Sequence, residues 1–272
     1  MRSLLYVPAH SEKFVSKAHE RGADAIILDL EDAVAPEHKA AARAGLSKSV
    51  AAVRQGGAKV FVRVNAGEEA DAVAACRADA DGLVIPKVRQ PGELEALAGA
   101  LDDIETEMGR PALAFIALIE DPGAVLNAAV IARAPRLIAM GLGGEDLALA
   151  LGALPTPAVL QLPKLLVHYA AKAQGLMSLG LLRSTADYSD LDAIKVAAQE
   201  AREHGFDGAT CIHPSIVPVL NAGFSPSPAE LDWARRVLAM AEQHTGAFAV
   251  DGKMVDAPVI ARARSIVAGS TA

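Results

Sequence analysis

The run Ala114-Phe115-Ile116-Ala117-Leu118-Ile119-Glu120-Asp121 and, further along, Leu137-Ile138-Ala139-Met140-Gly141-Leu142-Gly143-Gly144-Glu145-Asp146-Leu147 share one design. Each is an apolar stretch of strand length that ends in carboxylates. Continuous apolar runs of this length belong to strands buried on both faces, as in parallel sheets covered by helices. Parallel strands finish at one face, so Glu120 and Asp146 are expected at a common mouth despite the residues between them. Two hard oxygen donors, with water completing the shell, suit Mg2+ or Mn2+ better than zinc, which favours nitrogen and sulfur.

Working outward, short apolar runs recur at residues 3–7, 25–30, 59–64, 82–85, 177–182 and 208–212, which with 114–119 and 137–141 predicts eight strands. Helical spacing falls between them at 11–21, 38–54, 92–108, 123–133, 158–174 and 191–204. Alternating β and α segments in this number predict a (β/α)8 TIM barrel over residues 1–222, with a doubly wound open sheet as the structural alternative. The seventh strand is the least regular, because Gly180 interrupts it and the polar stretch from Arg183 to Asp190 follows. Residues 223–272 exceed a minimal barrel: a Pro/Ser segment, a helix near 229–244, a loop at 246–258 and a short last helix. The loop carries Asp251, Lys253, Met254 and Asp256 instead of apolar filler, so this extension is expected to be a lid or arm that packs on a neighbouring subunit.

With 272 residues, 52% of them apolar and 22% charged, the chain can bury a core of barrel size. A net charge of -7 argues against nucleic acid or an acidic lipid surface as a partner, while leaving room for a local basic pocket. Cys76 and Cys211 are too few for a disulfide framework, the first residues lack a signal peptide's pattern, and no apolar run reaches membrane-spanning length, so a cytoplasmic protein is expected.

On a barrel the remaining polar residues collect at the carboxyl ends of the strands, the face that holds the chemistry of this fold. Asp29, Glu31 and Asp32 end the second strand, Arg63 and Asn65 the third, Lys87 the fourth and His213 the eighth. Alternation along an extended segment puts Asp29 and Glu31 on one side and Asp32 on the other, so one of the three is expected to be structural and the others to serve metal-bound water or proton transfer. Arg63, set among Val and Phe, is either a salt bridge to this acidic cluster or a planar fork for a substrate carboxylate; beside a metal, the fork fits a chelated 2-oxo acid. Lys87 sits where a Schiff-base lysine would, but so many carboxylates would keep its ammonium charged, and an ion pair is expected instead. Glu120 ends a nearly unbroken apolar run, where an unpaired charge is expensive, while Asp121 before Pro122 is the helix cap. His213, ahead of Pro214, is expected to be structural, and Ser11 to cap the first helix.

The ordered series Ser3-Leu4-Leu5-Tyr6-Val7-Pro8, Leu28-Asp29-Leu30-Glu31-Asp32-Ala33-Val34, Arg63-Val64-Asn65, Pro86-Lys87, Glu120, Gly144-Glu145-Asp146-Leu147, Ile212-His213-Pro214 and Gly252-Lys253-Met254-Val255-Asp256-Ala257-Pro258 resembles the citrate lyase β-subunit-like family of the HpcH/HpaI aldolase group along essentially the whole chain. The resemblance implies a trimer or a multiple of one, and Mg2+-dependent cleavage or formation of a carbon–carbon bond next to a 2-oxo acid, with an acyl-CoA of the malyl-, citramalyl- or citryl-CoA kind as partner. It implies Glu120 and Asp146 as metal ligands and Arg63 as the oxo-acid arginine. Asp29, Lys87 and Gly144 join Arg63 around the substrate, and Asp32, Glu31 and Asp256 are the candidate acids, Asp256 reaching the neighbouring subunit's site. The chain departs from the family's pattern at Leu162-Pro163-Lys164, Gly208-Ala209-Thr210 and Ser178-Leu179-Gly180-Leu181-Leu182. Loss of basic residues there weakens the case for CoA, with Lys13, Lys39, Arg43 and Lys164 left as phosphate partners. Two other readings therefore stand beside the first: a metal-dependent aldolase for free 4-hydroxy-2-oxo acids, and a subunit of a larger lyase complex fed by an acyl carrier protein.

Overall fold

A computed structural model describes residues 1–182, 189–244 and 246–269. Its eight strands β1 (Ser3–Pro8), β2 (Ala25–Asp29), β3 (Lys59–Arg63), β4 (Gly82–Ile85), β5 (Ala114–Ile119), β6 (Leu137–Leu142), β7 (Met177–Leu179) and β8 (Ala209–Cys211) form one all-parallel sheet in the order β7-β6-β5-β4-β3-β2-β1-β8. A bridge from Leu179 to Gly208 brings its ends together, backed by Gly180 N donating to Gly208 O and Asp207 N to Ser178 O, both 2.9 Å. The sheet is therefore a nearly closed TIM barrel and not an open doubly wound sheet.

Alternation along the strands fills the interior with Leu4, Ala25, Ile27, Phe61, Val84, Ile116, Leu118, Ala139 and Leu179. The same inward files then end in charge: Asp29 follows Ile27, Arg63 follows Phe61, and Glu120 follows Leu118 at the carboxyl end.

The opposite end follows another rule. Asp24, just before β2, accepts the Arg2 backbone N–H at 2.7 Å and its guanidinium at 2.8 Å. Asp81, before β4, accepts Val60 N at 2.9 Å and Lys59 Nζ at 3.1 Å, with Arg54 at 3.2 Å. Asp207, before β8, accepts Ser178 N at 2.7 Å and Lys172 Nζ at 2.6 Å. Buried Glu105 does the same for Leu113 N and Arg136, both at 2.8 Å. At or just before β1, β3, β5 and β7, one acid thus ties an amide to a cation, and each acid is neutralised where it stands.

Several expectations shift. The span 38–54 is two helices, Pro36–Ala44 and Leu46–Val53, parted at Gly45, and 123–133 is Pro122–Leu126 and Ala128–Ile131. The seventh strand stops at Leu179, since Gly180 has φ +149° and leaves the strand; of the polar stretch after it, residues 183–188 lie outside the described residues. A helix at Glu69–Arg77 was not foreseen, and the expected 246–258 loop holds a hairpin of β9 (Phe248–Val250) and β10 (Lys253–Val255).

The chain divides into two compact units, Met1–Asn221 and Ala222–Ala272. In the second, helices Pro228–Ala241 and Ala257–Ala268 and the hairpin share a core of Ala234, Val237, Phe248, Val250, Val255 and Ala263. Ser227 and Glu230 form a capping box at the start of its first helix. Among the described residues no helix is long and apolar enough to cross a membrane.

Candidate active site and metal centre

Arg63 is the hub of the mouth. Its Nε and Nη2 donate to the two oxygens of buried Asp29 at 2.7 and 2.6 Å, a fork-to-fork pair. Its Nη1 faces Glu31 at 2.9 Å and Asp32 at 3.4 Å, and its guanidinium lies 4.9 Å from the ring centre of Tyr6. Burial opposes the Arg63 charge, but the bond to Asp29 and the surrounding acids outweigh it and hold the pKa above the ordinary value. Burial also raises the Tyr6 hydroxyl well above its usual pKa.

All three acids of the second strand's end meet Arg63, contrary to the expected two-sided alternation. The reason is local: the strand stops at Asp29, whose carboxylate accepts Glu31 N at 2.9 Å and Ala33 N at 3.2 Å and curls the chain back on itself. Asp29 thus holds both the turn and the arginine. Asp32, with a side chain 63% exposed, is the most open of the three.

Lys87 has φ +57°, a conformation costly to a residue with a Cβ. It is held there from both ends, the backbone N–H donating to Glu120 Oε2 at 3.1 Å and the ammonium to Glu31 Oε1 at 2.9 Å. That ion pair with Glu31 raises the lysine's pKa, which keeps it charged and poorly suited to forming a Schiff base. For Glu31 the desolvation of burial outweighs Lys87 and Arg63, and its carboxyl is raised.

Glu120 is 6% exposed, and burial with the nearby charges of Asp146 and Glu31 pushes its pKa up to about 7. Asp146 approaches from the first turn of helix Gly144–Leu151, where an acid is favoured by the free amides. Gly143 makes the approach of the two segments possible: a Cβ there would lie 2.4 Å from Glu120 Cγ and 2.5 Å from Oε1, so no other residue fits. Gly144, expected beside substrate, lies against Leu160, which a Cβ would meet at 2.9 Å. Glu120, Asp146 and Lys87 line an open cavity of about 190 Å³, with Arg89 and Asp121 cancelling one another 3.9 Å apart at its edge.

Among the described residues the balance of the mouth is five carboxylates, Asp29, Glu31, Asp32, Glu120 and Asp146, against Arg63 and Lys87. Among the described residues no three Asp, Glu, His or Cys side chains converge tightly enough to hold an ion alone. Two carboxylates in a cavity with a surplus of negative charge fit a hard divalent cation that keeps water or substrate oxygens in its shell.

A family model described as HpcH/HpaI aldolase/citrate lyase matches residues 2–214. The chain belongs to the HpcH/HpaI aldolase/citrate lyase family. It is 39% identical over 281 aligned positions to the (3S)-malyl-CoA thioesterase of Cereibacter sphaeroides, covering 100% of this chain and 95% of that protein. It is 34% identical to the citrate lyase subunit beta-like protein of Mycobacterium tuberculosis, covering 97% and 93%. Its structure is similar to Mycobacterium tuberculosis CitE in complex with magnesium, acetoacetate and coenzyme A, with a TM-score of 0.81, 31% identity and 100% of both chains covered.

In this member of the family the other candidate residues are placed as follows. Asp256 caps helix Ala257–Ala268 in the second unit, accepting Val259 N at 3.4 Å. Asp121 caps Pro122–Leu126, and the His213 ring binds Ser215 at 2.7 Å, both as expected. Ser11 stands at the N-cap of the first helix but makes no side-chain cap bond. Lys39 donates to the neutral Asn65 side chain, and Arg43 is paired with buried Asp71 at 2.6 Å. Tyr6 and Gly143 were missed. Tyr6 follows Leu4 in the inward file of β1, a readable signal, whereas the contact that demands Gly143 spans two strands and leaves no local trace.

Proposed function

We propose that this protein is a Mg2+-dependent carbon–carbon lyase or synthase that interconverts a short 3-hydroxyacyl-CoA, of the malyl-, citramalyl- or citryl-CoA kind, with a 2-oxo acid and an acyl-CoA. One observation carries the reading: among the described residues the mouth holds three more carboxylates than cations, and the surplus is concentrated at Glu120 and Asp146, where the Glu120 carboxyl is pushed up to about 7. Glu120 and Asp146 would hold the ion. When bound, Mg2+ supplies Lewis-acid polarisation of the substrate's keto or hydroxyl oxygen.

The chain's own groups account for the rest. Asp29 locks one edge of Arg63 and presets the guanidinium plane, and the oxo acid's carboxylate would take Nη1 in exchange for Glu31 and Asp32. Lys87, fixed at both ends, presents a second positive charge beside the ion's place. In the cleavage direction one base takes the hydroxyl proton, the bond between the carbinol carbon and the thioester's α carbon breaks, and one acid returns a proton to that α carbon. Asp32, exposed at the mouth, is one proton carrier; Asp256 of a neighbouring subunit is the other, which requires the 222–272 unit to act as an arm between copies. A homotrimer or a multiple of it is proposed on this ground, and Leu126, Leu149 and Leu154, at 84, 80 and 74% exposure, offer apolar surface for such contacts. A cytosolic setting is proposed with it, two free buried thiols being at home under reducing conditions.

A second reading is thioester hydrolysis, favoured by the 39% identity to a protein named (3S)-malyl-CoA thioesterase. Turnover of malyl-CoA with and without Mg2+ separates the readings: glyoxylate and acetyl-CoA in equal amounts support the lyase, malate and free CoA the hydrolase. Cleavage of a free 4-hydroxy-2-oxo acid with indifference to CoA would move the assignment to an aldolase. Activity that appears only with added partner subunits or an acyl carrier protein would make the chain part of a larger complex.

A further inference from the structure

Beside the metal cavity, at the seam where β6, β7 and β8 end, lies a second and larger cavity of about 410 Å³, a volume within the range of small-molecule sites. Its walls are mostly apolar, formed by Leu142, Leu160, Val167, Leu179 and Phe206. Among the described residues one cation enters it, Lys164 from helix Pro157–Ala173. Among the described residues of the barrel, half-buried Arg2, Arg43, Arg63 and Arg136 pair with Asp24, Asp71, Asp29 and Glu105, and the more exposed Lys87 and Lys172 with Glu31 and Asp207. Lys164 is half-buried, yet among the described residues it has neither a hydrogen bond nor an ion pair. Glu145 shares the wall and acts on it only through space. Desolvation with no contact to offset it lowers the Lys164 pKa to about 8.

We propose that this cavity is a subsite for a short aliphatic carboxylate, with the Lys164 ammonium receiving the carboxylate and the apolar walls the chain. A charged amine set in an apolar wall is costly unless a counter-ion arrives, and an incoming carboxylate recovers that cost by a charge-assisted hydrogen bond. Resting on the proposed reaction, the subsite would make Lys164 a specificity-determining residue that selects acyl partners ending in a carboxylate; the binding itself needs neither metal nor turnover.

The test uses the whole protein with Mg2+ removed by chelation, so that it stands apart from the metal reading. Lysines are trace-acetylated at pH 8 with acetic anhydride and the sites quantified by mass spectrometry, with butyrate, succinate or butyramide as the probe. Expected is at least about fivefold slower labelling of Lys164 with butyrate or succinate, no protection by butyramide, and no change at exposed Lys195. A thermal shift produced by succinate should persist in Lys164→Arg and vanish in Lys164→Met. Equal protection by butyramide would show an apolar cavity in which the charge plays no part, and absence of protection by any probe, or an unchanged shift in Lys164→Met, would overturn the subsite.

Discussion

At the amino-terminal end of the barrel Asp24, Asp81, Asp207 and Glu105 each hold a backbone amide and at least one cation of their own. At the carboxyl-terminal mouth Asp29, Glu31, Asp32, Glu120 and Asp146 divide Arg63 and Lys87 between them. The energetic consequences differ in sign. At the rim burial works against Asp24, yet the bonds from Arg2 prevail and hold its carboxyl below the ordinary range, so the charged form stabilises the fold. At the mouth burial and like charges push Glu120 up to about 7, so its charged form costs stability until a cation arrives. One end is built to hold the barrel together and the other is left short of positive charge, which is the condition for binding a metal ion and an anionic substrate at the same place.

The largest effect that could break this contrast is Glu120→Gln, which keeps an acceptor for the Lys87 N–H. Turnover in Mg2+ should fall by about 10³-fold or more, while the metal-free protein keeps or gains thermal stability. Retained turnover, or a fall in Tm that matches the loss, would put Glu120 with the rim acids. Glu105→Ala should do the reverse: it strips Leu113 N of its acceptor and Arg136 of one acid, costing about 3 kcal/mol in denaturant unfolding with kcat unchanged per folded molecule.

The pH dependence should sharpen the comparison further. An acid whose folded pKa is near 7 against an ordinary 4.5 binds more protons folded than unfolded, so metal-free stability should decline as pH rises from 4.5 through 7, by up to about 3 kcal/mol. Glu120→Gln should flatten that decline. Asp24 runs oppositely, its contribution being intact above its ordinary value of 3.8 and lost as pH falls through its lower folded value. The smallest effect is expected at His168, 4.4 Å from Phe206 and buried, with burial lowering its pKa from 6.5. The unfolded chain takes up that proton first, so stability should fall as pH drops below 6.5, and His168→Phe should remove this dependence as followed by equilibrium unfolding.

How much of this was legible follows from where the information lies. The strands could be read because both their faces are buried, and Glu120 and Arg63 stood out as charges where hydrophobic files end. Helix Glu69–Arg77 escaped because Glu-Ala-Asp-Ala-Val-Ala-Ala-Cys-Arg has too few large apolar residues to draw a stripe, even though its small face packs tightly. The hairpin had a signal: Asp251-Gly252, both at positive φ, between Val250 and the strand that follows, but three-residue strands are too short for alternation to register. The gathering of Asp29, Glu31 and Asp32 on Arg63 was misjudged because alternation was carried past Asp29, where the chain turns. The Lys164 cavity was invisible for another reason: that Lys164 has no partner among the described residues is a property of three strands and a helix together, and no stretch of sequence records it.

The central claim is that the mouth's surplus carboxylates are a divalent-metal site. Calorimetric titration of the protein with Mg2+ at pH 6.5, in buffers of differing ionisation enthalpy, tests it most directly. One Mg2+ per chain, bound with release of a fraction of a proton, tightening as pH rises toward 8, and lost in both Glu120→Gln and Asp146→Asn, is the result predicted. No binding, or binding that neither substitution weakens and that releases no proton, would contradict it.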